Sequence, residues 1–82
     1  MYIDIRSRDD YNNGHIEDAI NINYIELLLY PQKYLKKDNL YFIYCNSGIK
    51  SKAIVSKLNK LGYNCVNVEG GYNYYLLNKY KI

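Results

Sequence analysis

Cys45 stands where an apolar run, Leu40-Tyr41-Phe42-Ile43-Tyr44, gives way to a short turn, Asn46-Ser47-Gly48-Ile49-Lys50, followed by Ser51 and an amphipathic stretch. A loop that curls around one thiol aims several backbone N–H groups at its sulfur, while a helix dipole and Lys50 add positive potential. Both effects depress the thiol pKa, and the thiolate is the form that attacks. Gly48 permits a tight curl that a side chain would obstruct. Taken alone, Cys45 has a second reading as a buried structural thiol, since free cysteine is among the most buried residue types. Cys65 lies inside a strand-like segment with no such loop, and the core is its expected place.

The elements around this loop follow from local pattern. Tyr2-Ile3-Asp4-Ile5 reads as a strand, and Ser7 offers an N-cap for a helical turn through Tyr11 that Asn12-Asn13-Gly14 stops. Ala19-Ile20-Asn21-Ile22 reads as a second strand. Tyr24–Leu29 forms a turn or two of helix, Pro31 marks a break at Tyr30, and Gln32–Lys37 is a further helical piece. After the turn at Asp38-Asn39, the unbroken apolar run to Tyr44 suggests a strand covered on both faces, as in a parallel sheet. Ile54, Leu58 and Leu61 fall on one face of a helix from Ser51 to Leu61, with Gly62 beyond its end. Tyr63–Val68 resumes as a strand, and Gly70-Gly71 leads to a last helix carrying Tyr72, Tyr75, Leu76 and Leu77. This alternation predicts an α/β fold with a small, mainly parallel sheet flanked by helices.

Composition bounds the rest. The 82 residues fit one domain, 1–82, and 49% hydrophobic content excludes a disordered chain. Twelve Tyr against one Phe and no Trp require a core whose ring hydroxyls reach water or a partner. The formal charge of +3 is spread along the chain, which favours small anions over nucleic acid. No stretch approaches the ~18 apolar residues of a membrane span, and the N-terminus is unlike a signal peptide, so a cytoplasmic location with free thiols is the expectation.

Asp4-Ile5-Arg6, Tyr11-Asn12-Asn13-Gly14-His15-Ile16, Ala19-Ile20-Asn21-Ile22, Phe42 through Ser51, and Leu61-Gly62-Tyr63 through Gly70-Gly71 together resemble the rhodanese-like sulfurtransferases, in order and spacing. The loop is similar to that family's Cys-x-x-Gly-x-Arg-Ser. Lys50 stands where many members have Arg, Tyr75 where a Trp often stands, and the strand and helix that usually precede Asp4 are missing. That short start is expected to leave a sheet edge uncovered, favouring self-association or marginal stability. The resemblance implies a three-layer domain and a sulfurtransferase in which Cys45 carries a sulfane sulfur as a persulfide. The sulfur passes from a small anionic donor such as thiosulfate, or a persulfide, to a thiol or cyanide. Asn46, Ser47, Gly48, Ile49, Lys50 and Ser51 would surround it, and Asp4, Arg6 and His15 would give structural support. No metal or organic cofactor and no membrane or nucleic acid is implied, and a sulfur-relay protein is a further expected partner. The alternative is a catalytically weak module that binds a partner or relays persulfide. A phosphatase or arsenate reductase on the same scaffold would need a longer loop ending in Arg at position 51, where Ser51 stands.

Overall fold

The computed structural model describes residues 1–80; the last two positions of the domain expected over 1–82 lie outside the described residues. The elements run β1 (Tyr2–Asp4), α1 (Arg8–Asn13), β2 (Ile20–Asn21), α2 (Tyr24–Leu29), α3 (Pro31–Tyr34), β3 (Leu40–Tyr44), α4 (Ile49–Lys60), β4 (Asn64–Asn67) and α5 (Gly71–Lys79). Among the described residues, four strands form one sheet in the order β2-β1-β3-β4, and each pairing is parallel. Tyr2, Ile3 and Asp4 pair with Phe42, Ile43 and Tyr44, while Leu40 through Ile43 pair with Asn64 through Asn67.

The sheet separates two apolar clusters. On one face Ile3, Ile5, Ile43 and Cys65 pack with Leu27, Leu35, Ile54 and Leu58 of the α2–α3–α4 side. On the other, Tyr44, Ile16 and Ala19 meet Val68, Tyr72 and Tyr75. Alternation along β3 sends Tyr41, Ile43 and Cys45 to the first face and Tyr44 to the second, which explains why the run shows no polar periodicity. The hydroxyls of the two most buried tyrosines are paired: Tyr44 donates to Asp4 Oδ2 and accepts from the Ile16 N–H, and Tyr41 accepts from the Lys36 N–H.

Local deviations from the expected elements have physical reasons. The helical break falls at Tyr30, as expected, but α3 runs Pro31–Tyr34 in place of Gln32–Lys37: Pro31 is its first residue, because its fixed φ and missing N–H suit that position. Helix α4 begins at Ile49, two residues early, from a left-handed Gly48 with φ +88°. Leu61 is exposed because the helix ends at Lys60, and Val55 and Ser51 complete the buried face. Gly62 takes φ +99° just beyond that end, as its sequence position indicates.

Strand β4 is a sheet edge, yet it is not bare. In the parallel register the peptide groups of Cys65 face away from β3. The Asn59 side chain accepts from the Cys65 N–H at 2.8 Å and donates to its C=O at 3.0 Å, as a neighbouring strand would. An amide on α4 therefore blunts the edge that the sequence suggests is uncovered. Asn59→Ala should lower stability by about 1–3 kcal/mol, since it strands two buried backbone groups. Sedimentation should then show association that increases with concentration; a variant as stable and monodisperse as the parent would remove this role.

Candidate active site

Strand β3, flanked by β1 and β4, ends at Tyr44 and delivers Cys45 to the carboxyl edge of the sheet, where ligands of open parallel sheets bind. The backbone beyond it is held by the first turn of α5. Tyr72 N–H donates to the Cys45 carbonyl at 2.9 Å, and Asn73 N–H donates to the Asn46 carbonyl at 3.0 Å. Backbone meets backbone here. A Cβ on Gly71 would overlap the carbonyl oxygens of Cys45 and Asn46, and one on Gly48 would lie 2.9 Å from Gly70 N. Gly71 also sits at φ +60°. The spacing of these three glycines is therefore fixed by the approach of α5 to the loop.

The curl closes on sulfur. Gly48 N–H donates to Cys45 Sγ at 3.2 Å and Ser51 N–H at 3.4 Å, while Ser51 Oγ lies 3.4 Å from Sγ. The Ile49 N–H turns instead to Ser47 Oγ, and the Ile49 side chain is exposed. Burial pushes the Cys45 thiol up, but the Ser51 hydroxyl, then the Ser51, Gly48 and Ser47 amides, outweigh it and leave the pKa below the ordinary thiol value. Cys65 has burial without such donors and is pushed up to about 11. Both cysteines are free.

Cys45 is 6% exposed, and it opens on a cleft whose walls include Ile5, Arg6, Tyr24, Asn46, Ser47 and Lys50. The Lys50 ammonium lies 4.4 Å from the centre of the Tyr24 ring, a cation–π contact at the cleft wall. Arg6 is tied on several sides. It pairs with the fully buried Asp4 at 2.7 Å, donates to the Gly14 carbonyl at 2.7 Å and to Asn46 Oδ1 at 3.2 Å, and packs over the Tyr72 ring at 4.2 Å. Burial lowers the Arg6 pKa, but the Asp4 hydrogen bond and charge outweigh it, so the guanidinium stays charged. His15 stacks on Tyr11 with its Nδ1 at the Tyr11 carbonyl and does not line the cleft.

The profile of a family described as Rhodanese-like domain matches residues 1–78. The chain belongs to the rhodanese-like family. The structure of a rhodanese-related protein from Thermoplasma volcanium superposes with a TM-score of 0.86 at 35% identity, covering 98% of this chain and 79% of that one. YtwF of Bacillus subtilis, which carries a sulfurtransferase name, is 35% identical over 71 residues, 84% of this chain and 66% of its own. The thiosulfate sulfurtransferase GlpE of Coxiella burnetii is 30% identical over 70 residues, 84% of this chain and 64% of its own. This rhodanese-like chain thus spans just under two thirds of the length of these curated relatives.

Residues outside the expected set also build the site. Asn67, Tyr72 and Asn73 hold the loop from behind, and nothing in their local sequence distinguishes them from ordinary strand and helix positions. The glycine contacts give a direct test. Gly71→Ala should lower stability by about 2 kcal/mol or more, from left-handed strain plus backbone overlap. Gly62→Ala, also at positive φ but facing only the flexible Lys37 side chain, should cost about 1 kcal/mol. Equal losses in urea melts would contradict the docking of α5 on the loop.

Proposed function

We propose that this domain is a sulfurtransferase that moves a sulfane sulfur from thiosulfate or a persulfide donor to a thiol or cyanide through a Cys45 persulfide. The observation that carries this reading is a thiol held by two inward backbone N–H groups while open to a cleft lined by Arg6 and Lys50. The Cys45 thiolate attacks the outer sulfur of thiosulfate; a new S–S bond forms, the old one breaks, and sulfite leaves with the electron pair. An acceptor thiolate or cyanide then attacks the terminal sulfur and releases the Cys45 thiolate. Both steps are displacements at sulfur, so thiolate fraction and leaving-group pKa govern their rates.

The Gly48 and Ser51 amides stabilise the anionic sulfur in the manner of an oxyanion hole, and Lys50 supplies charge where an anionic donor enters. Lys50 lacks the planar fork of Arg, so its attraction is less directional. The six residues from Cys45 to Lys50 wrap one sulfur closely, which disfavours the larger tetrahedral oxyanion of a phosphatase or arsenate reductase.

The test is intact-mass analysis after incubation with thiosulfate, combined with a thiocyanate assay in cyanide. The parent should gain about one sulfur, ~32 Da, and turn over, and Cys45→Ser should do neither. A parent that takes up no sulfur and forms no thiocyanate would overturn enzymatic transfer and leave the partner-binding reading.

A further inference from the structure

Ser51 faces two acceptors with one hydroxyl proton. Its Oγ is fully buried, 3.4 Å from Cys45 Sγ and 2.5 Å from Asn67 Oδ1. The orientation of the Asn67 amide is fixed by its other end, because Nδ2 donates to the Gly48 carbonyl at 3.1 Å and reaches Glu69 Oε1 at 3.4 Å. Oδ1 therefore faces Ser51 as an acceptor and cannot donate. In the thiol form a consistent chain exists: Cys45 S–H donates to Ser51 Oγ, and the Ser51 hydroxyl donates to Asn67 Oδ1. Once the sulfur becomes an anion it has no proton to give, and the Ser51 hydroxyl can stabilise it only by leaving Asn67.

We propose that Asn67 is a positioning residue that competes with the Cys45 sulfur for the Ser51 hydroxyl, so that each passage between thiol and anionic sulfur reorients that one hydroxyl. This rests on the reading of Cys45 as the sulfur carrier, but the hydrogen-bond competition can be measured without any sulfur transfer. The resting chain holds the neutral thiol in place, and the hydroxyl turns when the anion forms. Gly48 and Ser51 N–H stay on the sulfur in both states, since they belong to the backbone held by α5 and Asn67. Asn67 thus tunes how readily Cys45 ionises while touching neither the sulfur nor a substrate in the cleft.

The charged groups facing this centre come from several surrounding segments, while α2 and α5 present Tyr24 and Tyr72. Arg6 follows β1, Asp10 lies on α1 and Lys50 on α4, and all three line the cleft. Asp4 pairs with Arg6, and Glu69, beyond β4, reaches the Asn67 amide. The test holds all of these constant.

The experiment is a thermodynamic cycle on the pH midpoint of Cys45 alkylation by iodoacetamide, read by peptide mass so that Cys65 is scored separately. Asn67→Ala is compared in the parent and in the Ser51→Ala background. Any loosening of Gly48 affects both arms and cancels. Freeing the hydroxyl should make the Asn67→Ala shift more acidic by about 0.5–1 pH unit when Ser51 is present than when it is absent. Asn67→Asp keeps an acceptor that grips the hydroxyl more strongly, so its coupling should have the opposite sign, and it decides the matter if the alanine variant does not fold. Equal shifts in the two backgrounds, or coupling of reversed sign, would overturn the competition. Loss of thiocyanate formation in the parent with the coupling intact would remove the enzymatic reading and leave this one standing.

Discussion

A sulfur anion inside a protein is unfavourable unless dipoles already point at it, and the arrangement that supplies them here constrains the rest of the fold. N–H groups stay aimed at a sulfur only where the loop backbone is itself held, and the carbonyls of that loop also need partners. The Cys45 and Asn46 carbonyls find them in the Tyr72 and Asn73 amides at the start of α5, and the Gly48 carbonyl finds one in Asn67. The inward cup and its outward scaffold are one structure. The backbone contact that joins them is what requires glycine at 48 and 71.

A second, ionic brace ties the front of the site to the second layer of the core. Asp4 is fully buried and receives Arg6, the Arg6 backbone N–H and the Tyr44 hydroxyl, so its charge is matched. Arg6 then reaches the loop through Asn46, the α1 end through Gly14 and α5 through Tyr72. Four segments distant in sequence are fixed by one ion pair. Removing one charge would leave the other buried and unpaired, which is far more damaging than the net strength of the pair suggests.

Much of this was legible in the residues, for reasons that separate local from tertiary effects. The apolar run before Cys45, the glycine in the turn and the stripe of Ile54 and Leu58 report local geometry, and the strand–loop–helix unit follows from them. The start of α4 and the place of Pro31 were less legible because several residues can serve as a helix cap or first turn. The roles of Asn59 and Asn67 were not legible. Each uses a side-chain amide to bond backbone or hydroxyl groups brought close only by the packing of α4 on β4. In a sequence with asparagine at so many turns, these two carry no mark of their own.

The central claim is that the protein holds Cys45 sulfur ready to ionise while keeping its other thiol inert. Selective labelling of cysteine Cβ and an NMR titration of both residues in one sample tests it most directly. The account predicts a Cys45 midpoint below the ~8.5 of a free thiol, and a Cys65 midpoint near the value of about 11 to which burial pushes it. Two thiols titrating together, or Cys45 titrating above the free value, would contradict it.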